Sequence, residues 1–512
     1  MTRARTAILT ILALTATQGL AQDDAPLSAI DWLSRSVSTS ESDPAADLTA
    51  TEPPVAESAT SPDVTTSALD DPSPDPVGLL ASDTTGLPES LWSGSDEDTL
   101  IMLVQAESTT SLPAIQDFLK VLLLAEAAPP LGAGPDGALF LARVDKLLDL
   151  GALDEAQALL EAAGPDTPEL FRRWFDVTLL TGTEDDACDV MEDRPAVAPT
   201  YPARIFCLAR SGDWPAAALA LNTHRALGDV TDEEEALLSR FLDAELVEGE
   251  AELPPPSRTS PLVFRMREAI GEGMGTATLP LAFAHADLRD TMGWKAQLDA
   301  AERLARNGAL PAPVLIDLYT SRRPSASGGT WDRVEAIQRF DTAISRGDPT
   351  AVGTHLPEAW EAMKAIRAET LFAEFYAERL LALPLPPDAL ELALNTGFLS
   401  SAYETVAIDR PEAHPFLAAL ARGEPQTVPA RTMMERAIQD AFNGAQPPEP
   451  LARLAENGQL GEALLRAIAT FNAGLQGDPT SVSEALAFFR SVGLEDLARR
   501  AALQLVLLER QT

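Results

Sequence analysis

The sequence predicts an all-α protein: an α-solenoid or superhelix of antiparallel helical hairpins, preceded by a disordered acidic tail. Two observations on composition favour helices over strands. Aromatic residues make up only 5% of the 512 residues, and alanine and leucine, which favour helix and close helix packing, are abundant. The third observation is a recurring pattern in which a glycine is followed five residues later by an alanine.

The glycine–alanine pattern is typical of a turn between two helices. Glycine ends a helix in a left-handed conformation that other residues resist, and the alanine lets the next helix pack closely. In four of the five copies a large apolar residue stands four positions before the glycine. The predicted repeat-turn pairs are Gly151 and Ala156, Gly212 and Ala217, Gly397 and Ala402, Gly458 and Ala463, and Gly493 and Ala498.

Residues 1–21 are predicted to be a secretory signal peptide. Arg3 and Arg5 form a short positive start, residues 7–16 are mostly apolar, and small residues precede a cleavage site after Ala21. The apolar run is too short to span a bilayer, although an N-terminal anchor is the alternative. We therefore expect a periplasmic protein with no membrane span in the mature chain.

Residues 22–94 are predicted to form a disordered acidic linker. They are rich in Ser, Thr, Pro and Asp, and such a segment cannot bury enough apolar surface to offset the entropy of ordering. One apolar island breaks the pattern at residues 27–37. There Ile30, Trp32 and Leu33 could line one side of a short docking helix, or form a hydrophobic cluster without a partner.

From Ser95 onward the sequence predicts helix after helix, joined by short Gly or Pro turns. A Pro-rich break at residues 253–259 separates a predicted N-terminal helical repeat lobe, residues 95–252, from a C-terminal one, residues 260–512. The same break could instead be a long loop within one superhelix. A long helix is predicted over residues 355–381.

The two cysteines of the chain are Cys188 and Cys207. An exported protein meets an oxidising compartment, so we predict a disulfide between them. Closing a loop of about 20 residues contributes roughly 3 kcal/mol to stability. Two buried free thiols are the alternative, and the absence of a Cys-x-x-Cys spacing argues against a redox-active pair.

The formal net charge of −40 excludes nucleic acid and anionic lipid as main partners, because such a surface repels both.

The acidic run Thr231–Glu235 has two interpretations. It binds a cation or a basic partner, or Thr231 caps a helix and the carboxylates lie at the positive end of the helix dipole. The tryptophans of the helical segments are predicted to be core residues. These are Trp174, Trp214, Trp294, Trp331 and Trp360.

The sequence contains no convincing catalytic or metal-binding motif, so we predict no enzyme, no cofactor and no metal site. No His-x-x-x-His pair and no phosphate-binding loop occurs. Glu107 with Ser108 is superficially similar to the catalytic Glu-Ser of lytic transglycosylases, where a Glu of raised pKa protonates a glycosidic oxygen. The simpler interpretation is a residue at a helix C-terminus that faces solvent.

The turns Gly-Asp-Trp-Pro-Ala-Ala217 and Gly-Ala-Leu-Asp-Glu-Ala156 resemble those of the tetratricopeptide repeat family. The family's terminal Pro and aromatic set are not regularly present, so the resemblance is to a degenerate repeat. It implies a concave groove that binds another protein. The expected function is a non-enzymatic exported scaffold or adaptor for another cell-envelope protein. A peptidoglycan lytic enzyme, or an accessory subunit to one, is the alternative, and a small-ligand carrier is a third possibility.

Overall fold

The computed structural model describes residues 73–243, 249 and 251–508, which form helices and connecting turns. Instead of β-strands, these residues contain isolated bridges between Leu80 and Ala125 and between Asp96 and Leu131. The predicted all-α class is therefore confirmed for this part of the chain. The predicted signal peptide and the docking residues Ile30, Trp32 and Leu33 lie outside the described residues.

The helices of the first half follow one another through short connections, and a 3₁₀ turn at Pro195–Val197 precedes α8. Their bounds are α1 Ser82–Thr85, α2 Glu97–Ala106, α3 Pro113–Leu124, α4 Ala138–Asp149, α5 Leu153–Ala163, α6 Pro168–Thr181, α7 Glu184–Asp193, α8 Tyr201–Arg210, α9 Trp214–Leu227 and α10 Asp232–Leu242.

The second half continues the same arrangement, with 3₁₀ segments at Leu281–Leu288 and Pro425–Thr427. The helices are α11 Pro261–Ala269, α12 Trp294–Ala305, α13 Ala312–Thr320, α14 Thr330–Ser345, α15 Pro349–Ile366, α16 Glu369–Leu381, α17 Pro387–Phe398, α18 Tyr403–Asp409, α19 Pro415–Ala421, α20 Met433–Phe442, α21 Glu449–Glu456, α22 Leu460–Gly474, α23 Pro479–Ser491 and α24 Glu495–Leu507.

Four of the five predicted repeat turns share one hydrogen-bonded cap. The glycine has a φ of 72 to 88°. The next N–H donates to the carbonyl four residues before the glycine at 2.8–2.9 Å, and the glycine N–H donates to the carbonyl three before it at 2.9–3.1 Å. This is the Schellman motif, and the alanine that follows is fully buried in every case. The four copies are Gly151–Ala156, Gly212–Ala217, Gly458–Ala463 and Gly493–Ala498.

The fifth pair, Gly397 and Ala402, is different and corrects the prediction of a left-handed cap. Gly397 lies inside α17. A Cβ atom there would lie 2.7 Å from Cγ2 of Val406 and 3.1 Å from Cδ1 of Leu381. The glycine therefore permits a close approach between helices rather than ending one.

The single helix predicted over residues 355–381 is wrong, because the chain breaks between α15 and α16. Arg367 has a φ of 59°. Its N–H donates to Lys364 O and the N–H of Ala368 donates to Met363 O, both at 3.0 Å. An arginine thus occupies the left-handed position that glycine fills at the other turns, and so the sequence carries no glycine signal there.

The two ends of the described chain pack against each other. Helix α24 contacts α3, and α22 contacts both α2 and α3. The buried N–H of Ala114 donates to Oε1 of Gln504 at 2.8 Å. The rings of Phe118 and Phe489 meet edge to face with their centroids 6.2 Å apart. The first helices and the last ones therefore share one core.

Trp92 completes this closure from the segment before α2. Its side chain is fully buried. A Cβ atom on Gly461 would lie 2.5 Å from the Trp92 ring and 2.6 Å from Leu91 O. The N–H of Gly461 also donates to Leu91 O at 3.0 Å. Gly461 is therefore the residue that lets the indole lie against α22.

The packed body begins earlier than predicted, because residues 73–94, assigned above to the disordered linker 22–94, contact the helices. Asp75 is fully buried and accepts a hydrogen bond from the N–H of Phe140 at 2.8 Å. The buried guanidinium of Arg143 donates to Asp75 O at 3.0 Å and to Leu123 O at 2.7 Å. Residues 73–94 therefore belong to the packed body and not to the predicted linker.

The Pro-rich break at residues 253–259 connects α10 to α11, which contact each other. The N–H of Leu253 donates to Oε2 of Glu272 at 3.0 Å, and Arg267 donates to Pro254 O. The main cluster of buried apolar side chains includes residues on both sides of this connection. The division into two lobes at residues 252 and 260 stays a prediction.

Candidate functional site

Helix α9 is the least covered of the longer helices in the described part of the chain. It begins after Asp213, whose carboxylate accepts the N–H of Ala216 at 3.1 Å, and it ends at Gly228, which has a φ of 81°. It packs mainly on α8 and α10. Only Ala217 and Leu221 of α9 are buried, so most of the helix surface faces outward.

The outward surface of α9 is apolar. Pro215, Leu219 and Ala226 lie within about 40° of one another around the helix axis, at about 100° per residue. Ala218 and Leu227 flank them. All five are exposed, with Leu219 at 68% and Leu227 at 69%. We call these five residues the α9 face.

Two polar residues lie among those of the α9 face and direct their donors back to their own helix. The Asn222 side chain donates to Ala218 O at 2.9 Å, and the Thr223 hydroxyl donates to Leu219 O at 2.8 Å. The helix has no Asp or Glu, and its Arg225 donates to Oδ1 of Asn222 at 3.0 Å and pairs with Glu235. The five residues of the α9 face are therefore uncharged, with one engaged cation beside them.

Two partly exposed aromatic side chains lie close to helix α9. Tyr201 is 37% exposed and Trp214 is 47% exposed. The Tyr201 ring stacks on His224 with ring centroids 3.5 Å apart, and the ring centroids of Trp214 and Phe241 are 6.4 Å apart. Tyr and Trp are enriched in binding hot spots.

A second candidate is a cleft of about 610 Å³ between the loop 321–329, α14 and the start of α15. Three arginines and a histidine line it, and we call these four residues the arginine cleft: Arg323, Arg339, Arg346 and His355. Arg339 pairs with Glu335. In the described residues, the guanidinium groups of Arg323 and Arg346 have no hydrogen-bond or ion-pair partner.

Glu107, the candidate general acid of the enzyme alternative, was expected to face solvent, but it is buried. Its side chain is 6% exposed, and Oε2 has no hydrogen-bond partner in the described structure. Burial raises the pKa of this carboxyl to about 8, although the nearby Lys146 ammonium lowers it in part. A neutral carboxyl at pH 7 is chemically suited to general acid work, but Glu107 does not line the arginine cleft.

The predicted disulfide between Cys188 and Cys207 is present, with the Cα atoms 5.0 Å apart. It joins α7 to α8, and both cysteines are buried. Thr231 caps α10 in a capping box with Glu234, which accounts for the start of the acidic run.

Within residues 73–243, 249 and 251–508, no group of three or more His, Cys, Asp and Glu side chains is arranged to hold a metal ion. None of the described helices is long and apolar enough to cross a membrane.

The sequence analysis predicted neither the α9 face nor the arginine cleft. Trp174, Trp294 and Trp360 are buried as predicted, but the prediction is wrong for Trp214. An acid-free helix of 14 residues in an acidic chain was the available signal for the α9 face. For the arginine cleft the only signal was the pair Arg322-Arg323 before a Ser- and Gly-rich loop.

Comparisons with protein-family models, with curated proteins and with solved structures find no match for this chain.

Proposed function

We propose that this chain is an exported, non-enzymatic scaffold of degenerate tetratricopeptide-like repeats, arranged as an α-solenoid, which binds another cell-envelope protein. The observation that carries the proposal is the α9 face, five exposed apolar residues without a charge, with partly exposed Tyr and Trp side chains near the same helix. Contiguous exposed apolar patches mark interaction sites in water-soluble domains. A periplasmic location is supported by the disulfide, which persists in oxidising compartments.

The chemistry around the α9 face favours an amphipathic helix with basic flanks as its occupant. Leu219 and Leu227 offer two apolar contacts, as in the binding of a helix to a groove. Exposed carboxylates of Asp213, Asp229 and Asp232 lie next to the two ends of α9. A partner with Lys or Arg at both ends of an apolar stripe would satisfy both features.

Capture from the envelope fraction with the mature chain tests this proposal when matched variants are compared. Leu219→Glu places a charge in the α9 face and should abolish recovery of a specific partner. Ile408→Glu is the control, because Ile408 lies on a different helix and its exposed fraction of 70% is close to the 68% of Leu219. A partner lost equally with both variants, or with neither, would contradict the proposal.

A second candidate function is a cell-wall lytic enzyme or a subunit of one. The observation that favours it is the pKa of Glu107, which burial raises to about 8. A general acid for glycoside cleavage needs such a raised pKa. A muropeptide-release assay on the purified mature chain separates the two functions. The scaffold proposal predicts no release by either the wild type or Glu107→Gln. Release that the Glu107→Gln change abolishes would instead support the enzyme.

A further inference from the structure

The arginine cleft is a concave site lined by cationic side chains. Arg323 and Arg346 are both exposed, and no carboxylate of the described residues pairs with either of them. Unpaired arginines also occur elsewhere on the described surface, as at Arg410 and Arg436, but here two of them line one cleft together with His355. The ligand that suits this site is therefore an anion.

The carboxylates within the cleft are already engaged. Glu335 pairs with Arg339. Asp348 caps α15, where it accepts the N–H groups of Thr350 at 3.0 Å and Ala351 at 3.1 Å. Neither carboxylate can turn to Arg346 without breaking a contact that the helices need. An anion that binds Arg323 and Arg346 therefore comes from outside the cleft.

The chain itself carries a carboxylate-rich segment beyond the described residues. Residues 22–72 contain eleven Asp and Glu and a single cation, Arg35. Guanidinium groups bind carboxylates with paired hydrogen bonds, which makes them stronger ligands for such a segment than point charges. The overall negative charge of the molecule opposes this contact only weakly, because charges more than about 8 Å away are screened at physiological salt.

The length of this segment brings the cleft within its reach. An extended chain covers about 3.3 Å per residue, so the residues before Ser73 can extend to roughly 170 Å. A compact body of about 430 residues has a radius of gyration of about 22 Å. Tethering also gives the segment an effective concentration in the millimolar range, which suits a contact made of a few surface charges.

We propose that the arginine cleft binds the acidic segment 22–72 of the same chain. The contact is separate from the α9 face, so its failure would leave the proposed function untouched. Arg323 and Arg346 supply the paired donors, and carboxylates of the segment accept from them. High salt releases the segment, because the contact is ionic and exposed.

Photocrosslinking in the full mature chain tests this proposal. A benzophenone amino acid replaces Ala326, an exposed residue of the cleft, and mass spectrometry locates the crosslinked peptide. We expect an intramolecular crosslink to residues 22–72 that is lost in the double variant Arg323→Glu, Arg346→Glu. The control Arg410→Glu, Arg436→Glu makes the same charge change at two exposed arginines elsewhere and should keep the crosslink.

Several results would overturn the proposal. These are no crosslink to residues 22–72, a crosslink that survives the charge reversal at Arg323 and Arg346, or one that forms only between two copies of the chain or with a separate acidic protein. If the double Glu variant does not fold, judged by its far-UV circular dichroism, Arg323→Gln with Arg346→Gln replaces it. A salt titration of the wild-type crosslink is then a second readout that needs no variant, and a yield independent of salt would also contradict the proposal.

Discussion

Asp176 is a buried carboxyl that is costly to ionise in the folded protein. It is fully buried in α6, and neither of its oxygens has a hydrogen-bond partner among the described residues. Burial raises its pKa well above the ordinary value of 3.8, although Arg172 and Arg173 oppose this shift. The folded state therefore favours the protonated form of this side chain.

This shift predicts how stability depends on pH. A raised pKa in the folded state contributes stability at pH values below the ordinary pKa, and that contribution is lost as the pH rises toward the folded pKa. We expect Asp176→Asn, which stays neutral, to be more stable than the wild type at pH 7.5, with a difference that shrinks toward pH 4. Thermal unfolding of both proteins across this range measures it.

Asp189→Asn is the matched control, because Asp189 is an exposed carboxylate on the adjacent helix α7. It should leave the pH dependence unchanged. An Asp176→Asn variant that is less stable than the wild type by the same amount at every pH would mean that Asp176 is ionised and paired in the folded protein.

At the level of helices and turns, the sequence predicts features that depend only on residues close together in the chain. The Schellman caps at Gly151 and Gly458 are local, since each needs only a glycine and the backbone of the preceding turn. The break at Arg367 and the buried site of Gly397 were not predictable. No glycine marks the turn at Arg367, and Gly397 stays helical where Val406 and Leu381 approach it closely, which only the tertiary packing shows.

The disulfide between α7 and α8 allows a second prediction. Replacing Cys188 and Cys207 by alanine should lower the free energy of unfolding by about 3 kcal/mol, because a loop of this length is no longer closed in the unfolded chain. Denaturant unfolding of the double variant measures the loss. A reductant should reproduce it in the wild type and have no effect on the variant. Equal stability of the two proteins would show that the bond does not constrain the unfolded chain.

At the scale of the whole molecule, the contact between the first and last helices was not predicted. Trp92 stood in a segment whose composition indicates disorder, and its partner Gly461 is distant in sequence. No local pattern links the two. The α9 face escaped prediction for a related reason, since the sequence shows that a helix is apolar but not which side its neighbours leave open.

Because the first and last helices pack together at Gly461, we expect a substitution there to destabilise the whole described body. Gly461→Ala forces a Cβ atom to within 2.5 Å of the Trp92 ring, and overpacking of this kind costs about 1–3 kcal/mol. We expect calorimetry to show a lower midpoint for the main transition. Gly275→Ala is the control, since a Cβ atom there meets nothing within 4 Å. A small separate transition that leaves the main one unchanged would show that the ends are not coupled to the rest.

The most direct test of the account is photocrosslinking from the α9 face inside intact cells. A benzophenone amino acid at Leu219 should give one discrete adduct with another envelope protein, and the same label at the equally exposed Ile408 should not. Adducts of equal yield from both positions, or none from Leu219, would contradict the claim that this chain is a scaffold that binds its partner through α9.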